Sequence, residues 1–174
     1  MLKRILATAL FCSVVIATTF KFSVSEERLM LCALGADVSL LSEKGCYQYF
    51  YVFGVSTELK DIVQRGYGIS PILSANTETR FLIAKQLISS GVDINQPNPT
   101  DGLNMPPIHS TILQDDLEGF NWLVRNGADL NIVYEQTGED VLAFLNTMYL
   151  EHPTHNRQHM RELILNSPII YSGS

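Results

Sequence analysis

The stretch NMPPIHSTILQDDLEGFNWLVRNGADLN, residues Asn104 to Asn131, decides how the rest of the chain is read. Ile108 and Ile112 stand at helical spacing, and the polar break Gln114-Asp115-Asp116 interrupts the pattern. Leu117, Phe120, Leu123 and Val124 then carry a second apolar stripe, closed by Asn126-Gly127. Pro106 and Pro107 suit a helix start, where a missing N–H costs nothing, and Gly127 suits a left-handed stop. The stretch therefore predicts a helix-turn-helix hairpin. Neither helix is long enough to stand alone, and each has an apolar side that a single neighbour leaves uncovered. Such a hairpin needs further hairpins beside it.

The chain supplies them. Gly-Ala/Val-Asp followed by an apolar residue recurs at Gly35-Ala36-Asp37-Val38, Gly91-Val92-Asp93-Ile94 and Gly127-Ala128-Asp129-Leu130. On these residues the chain resembles the ankyrin repeats, whose unit opens on Thr-Pro-Leu-His and ends on Leu-Leu-x-x-Gly-Ala-Asp-Val-Asn. Pro106-Pro107-Ile108-His109 stands at the opening, and Leu123-Val124 through Asn131 at the end. Ser70-Pro71-Ile72-Leu73 and Leu87-Ile88 through Asn95 make a second full match, opened by Gly68. Three weaker units flank these two. Gly45 to Gly66 resembles a shortened unit, with Tyr47-Gln48-Tyr49-Phe50 departing from the opening motif. Gly138 to Asn166 resembles a last unit lengthened around Glu151 to Asn156, with Asp140-Val141-Leu142-Ala143 at its opening. Glu26 to Val38 resembles the second half of a unit. The resemblance implies an all-α fold: an ankyrin-repeat solenoid of about four to five helix-turn-helix units, degenerate at its flanks.

The resemblance also implies roles for particular residues. Leu87, Ile88, Leu123, Val124, Leu163 and Ile164 would form the layered core. Asn95 and Asn131 would tie the connecting finger turns, and His109 would brace neighbouring backbone. The fingers would be the segments Asn95 to Asn104 and Ile132 to Gly138, whereas Gly66 to Gly68 is too short to make one. Between Cys46 and Gly54 the aromatic run could be a strand in isolation, but Thr57 to Gly66 supplies a partner helix and favours the helical reading.

The composition is that of a folded protein, 46% hydrophobic and 17% charged. The net charge of −6 disfavours DNA and RNA and favours encounter with a basic protein. Residues 1–22 read as a signal peptide or anchor, and residues 23–174 as the repeat domain. Lys3-Arg4 precedes the apolar run Ile5 to Ala17, the form of a bacterial secretory signal with cleavage after Ala17. Uncut and extended through Phe20, the same run would be a short inner-membrane anchor facing the periplasm. Its removal, with Lys3 and Arg4, would take the 12 basic residues to 10 against 18 acidic ones. A periplasmic location makes closure of Cys32 and Cys46 into a disulfide the expectation; two buried thiols are the alternative in a reducing compartment.

Two clusters could carry chemistry. His155 and His159 would share a helix face, with His152, Glu151 and Glu162 near enough in sequence to complete a metal site of hydrolase type. A polar insertion explains the same residues, and no metal or other cofactor is expected. Asp115-Asp116-Glu118 could pair an acid with a base, but a turn between two helices explains them as exposed charge and capping. No phosphate loop, nucleophile elbow or Cys-x-x-Cys is present, so no catalytic residue is assigned.

The resemblance implies protein binding. An ankyrin-like stack implies a rigid scaffold whose concave face and finger tips hold a partner, and with an exported acidic chain it resembles envelope proteins such as immunity proteins that occlude a toxic effector. A protective subunit of a resident periplasmic enzyme is the alternative. The expected contact residues are Asn98, Thr100 and Asp101 on the first finger, and Tyr134, Glu135 and Gln136 on the second. Met105, Gln114, Asp115 and Asp116, on or beside the first helix of the central unit, complete the set.

Overall fold

The computed structural model describes residues 25–37 and 41–166, and they are helical throughout apart from turns and one isolated bridge. The expected signal segment lies outside the described residues. In chain order the helices are α1 (Glu26–Ala33), α2 (Glu43–Phe53), α3 (Thr57–Gly66), α4 (Ser70–Leu73) and α5 (Arg80–Ser89). They continue with α6 (Pro107–Leu113), α7 (Leu117–Arg125), α8 (Val141–Glu151) and α9 (His155–Leu165). Among the described residues, no helix is long and apolar enough to cross a membrane.

Local chemistry sets the helix ends. Ser25, Ser42, Ser56, Asp116, Asp140 and Thr154 each cap a helix by accepting from a main-chain N–H three residues on. The three Gly-Ala/Val-Asp segments close their helices alike. Gly35, Gly91 and Gly127 have φ of 86°, 97° and 88°, a region costly for any residue with a Cβ. The N–H of the following residue then reaches back to a carbonyl five positions earlier, as in Ala36 to Leu31, Val92 to Leu87 and Ala128 to Leu123. The repeated sequence is thus a repeated chain reversal.

Helices α4–α5, α6–α7 and α8–α9 are antiparallel hairpins, and the last two lie side by side, α6 against α8 and α7 against α9. Phe81 on α5 stacks on Trp122 on α7, with ring centroids 5.7 Å apart, which carries the lateral packing one hairpin further. Leu87, Leu123 and Ile164 are fully buried, while Ile88 and Val124 are half-buried. Leu163 corrects the expected core: it is 36% exposed, because α9 turns Arg157, Met160 and Ile164 inward and leaves Leu163 off that face.

The N-terminal part differs more. The segment Gly45 to Gly66 does not form a hairpin: α2 packs chiefly on α1 and α5. Three interactions impose this pairing. Cys32 and Cys46 form a disulfide between α1 and α2, with Cα atoms 5.9 Å apart. Glu26 at the start of α1 accepts from the Tyr49 hydroxyl on α2 at 3.0 Å and from Ser56 N at 3.1 Å. Thr79, just before α5, donates to the carbonyl of Ala33 and hydrogen-bonds Glu43. So α1, expected as the second half of a unit, is the first helix of a hairpin, and α2 is the second. Helix α3 is an inserted connector beside the end of α5, where the Gln64 side chain accepts from Asp93 N and donates to Gln96. The aromatic run is helical as expected, but Tyr49 and Phe50 are buried by the α1–α2 pairing and not by a hairpin with α3.

Candidate protein-binding surface

Two loops project between the hairpins, and both are organised by their own polar side chains. In the first, Asn98 Oδ1 accepts from the N–H and hydroxyl of Thr100, and Asp101 Oδ1 accepts from Leu103 N and Asn104 N. Asn95 joins this loop to the next by accepting from Asp129 N at 2.9 Å, the tie expected of it. The second loop closes as a short antiparallel bridge, Tyr134 N donating to Glu139 O at 2.8 Å. Gln136 then reaches across and donates to the carbonyls of Gly102 and Leu103. The two loop tips are therefore one connected surface. Thr100, Asp101, Glu135 and Gln136 are exposed on it.

Three of the expected contact residues are buried. Asn98 is 7% exposed because its side chain is consumed in holding its own turn. Met105 is 4% exposed, buried in the core just before α6. Tyr134 is 3% exposed; its ring packs 5.8 Å from that of His109 and 5.9 Å from that of Phe144, centroid to centroid, and its hydroxyl donates to Gln136. Burial, then the nearby Asp101 charge, raises the Tyr134 pKa. Tyr134 is the hub of a small aromatic core under the second loop and is not an exposed anchor.

His109 occupies the middle of this aromatic group. Its Nε2 lies 3.3 Å from the Glu139 carbonyl, so the imidazole braces the second loop as expected. Its Nδ1 is buried without a hydrogen-bond partner. Burial lowers its pKa, opposed by the backbone at Glu139 and Asp140 and by their carboxylates.

The residues at the α6–α7 turn divide between structure and surface. Gln114 is exposed and bonds Ser74 and Ser110. Asp115 takes φ of 57° and accepts from Thr154 and Asn156, tying the α6–α7 turn to the α8–α9 turn. Asp116 caps α7 and pairs with Arg80 at 3.2 Å; Glu118 pairs with the same guanidinium at 2.7 Å. These carboxylates are committed to packing hairpins together, which explains them without acid–base chemistry.

The segment Glu151 to Asn156 is polar and mostly exposed, with Thr154 and Asn156 half-buried. Glu151 ends α8, residues 152–154 make the turn, and the Thr154 side chain caps α9. His155 and His159 share a face, with ring centroids 4.9 Å apart. Among the described residues, no group of three or more His, Cys, Asp or Glu side chains converges in a way that could hold a metal ion.

A feature that sequence reasoning missed is a groove of about 460 Å³ between α1 and α4. Met30, Leu34, Tyr67, Pro71, Ile72 and Ala75 form its walls, with Thr100 from the first loop and Glu27 at its edges. No periodicity could reveal it, since it depends on α1 pairing with α2. Comparison of the chain with family models, with curated proteins and with solved structures finds no match.

Proposed function

We propose that the chain is a non-enzymatic protein-binding module of ankyrin type, acting in the bacterial cell envelope. The observation that carries this reading is the tie from Gln136 to Gly102 and Leu103, which joins two loop tips on adjacent hairpins into one continuous, pre-ordered surface. A surface ordered before binding loses little conformational freedom when a partner arrives. The ankyrin assignment is supported by the three matching glycine reversals and by the Asn95 tie to Asp129. The envelope location is supported by the Cys32–Cys46 disulfide, since such bonds persist in oxidising compartments.

Within that reading the most specific role is an immunity protein that covers a toxic effector delivered into the envelope. The acidic net charge of −6 suits rapid capture of a basic partner. The experiment is co-expression with an envelope-directed toxin from the same locus. Restored growth, together with a complex that survives size-exclusion chromatography, is the expected result. Growth arrest unaltered by the protein, with no complex formed, removes the immunity role.

A further inference from the structure

The groove between α1 and α4 has a chemistry that specifies its occupant, and assigning that occupant rests on the protein-binding reading. Its walls are apolar, formed by Met30 and Leu34 from one side and Pro71, Ile72 and Ala75 from the other. The one charged side chain lining it is Glu27, which is exposed and makes no ion pair among the described residues. Tyr67 lies beside Glu27: burial, then that carboxylate, pushes its phenol up to about 12, so it stays a neutral donor and acceptor. An apolar trough with one exposed carboxylate, Glu27, on its lining matches an apolar side chain with a cation beside it.

The geometry points to a binding site for a protein segment that seats a leucine-like side chain between α1 and α4 and sets a neighbouring lysine or arginine against Glu27. The apolar contact supplies affinity by displacing water from the walls, and the cation supplies direction and selectivity. An acidic segment is repelled, and a polar segment has nothing to place in the trough.

The test uses three fluorescein-labelled peptides, GSKLLKSG, GSELLESG and GSKSSKSG, titrated against the full chain by anisotropy, with amide chemical shifts locating the bound site. The expected result is saturable binding of GSKLLKSG alone, with shifts concentrated at Leu31, Tyr67 and Ala75. Glu27→Gln, at an exposed position, should weaken it about tenfold. Ala75→Phe, which fills the trough, should abolish it, while the thermal transition of Glu27→Gln stays at the parent value. Equal binding of GSELLESG, shifts confined to the loop tips, or no saturable binding overturns the proposal. Self-association of the free chain that Ala75→Phe abolishes would assign the groove to a second copy and overturn it too. Failure here leaves the loop surface as the binding site, whereas retained peptide binding with no partner at the loop tips would remove the broader reading alone.

Discussion

The guanidinium of Arg157 on α9 donates to the main-chain carbonyl of Ile112 on α6, from Nε and Nη2, both at 3.3 Å. It also reaches Leu113 O and His152 O. Arg157 is 5% exposed and makes no ion pair with a carboxylate among the described residues. The negative end of α6 stands in for the counter-ion. A buried arginine therefore closes the last helix of one hairpin onto the first helix of the hairpin before it.

Arg157→Ala leaves buried carbonyls without donors, and should lower stability by about 3 kcal/mol. Arg157→Lys, with a point charge in place of a planar fork, should recover only part of that loss. Urea unfolding of both variants checks this. A lysine variant as stable as the parent would show that charge alone matters there.

Core and surface positions should separate sharply along the hairpins. Leu123→Ala, at a fully buried site, should cost about 2–5 kcal/mol, and Leu163→Ala about 0.5 kcal/mol or less. Tyr134→Ala belongs with the first class, at about 3 kcal/mol, because it opens the aromatic group around His109 and Phe144. Thermal denaturation of the three variants measures the order. Equal losses at Leu123 and Leu163 would mean that the hairpins pack in a different register.

His109 sets a pH dependence whose sign follows from its lowered pKa. The unfolded chain takes up a proton near the ordinary value of 6.5, while the folded chain resists it. Stability from this group is complete above that value and is lost as pH falls below it toward the lowered folded value. His109→Leu should flatten that part of the stability curve. A slope between neutral pH and pH 5 that survives the substitution assigns the dependence elsewhere.

The Cys32–Cys46 bond closes a loop with a sequence separation of 14. Reduction, or a Cys32→Ala, Cys46→Ala double variant, should cost about 3 kcal/mol by releasing the unfolded chain. The loss should be felt first in α1 and α2, which hydrogen exchange resolves.

What was legible in the sequence is what local chirality dictates. Gly35, Gly91 and Gly127 had to be glycines in left-handed turns, and they mark the chain reversals directly. The burial of Leu123 followed from helical spacing, and that of Leu87 from its place in the repeat resemblance. Cys32 and Cys46 marked α1 and α2 as neighbours, and their disulfide is formed, but that the two helices make one hairpin was not legible, because Gly45 to Gly66 has the spacing of a unit. It was decided by non-local bonds from Glu26 to Tyr49 and Ser56 and from Thr79 to Ala33. Tyr134 was misplaced for the same reason. Its neighbours look polar in sequence, whereas the rings that bury it come from His109 and Phe144, on two different helices. The groove between α1 and α4 depends on that hairpin grouping and left no mark in the sequence.

Site-specific photo-crosslinking in living cells tests the central claim most directly. A photoreactive residue is placed in turn at Thr100, Gln114 and Glu135 on the exposed surface, and at Leu150, 81% exposed on α8, as a control away from the loop tips. One and the same envelope protein should be joined covalently from the first three positions and not from Leu150. Crosslinks from Leu150 with none from the loop tips or Gln114 would contradict a binding surface built on the two loops.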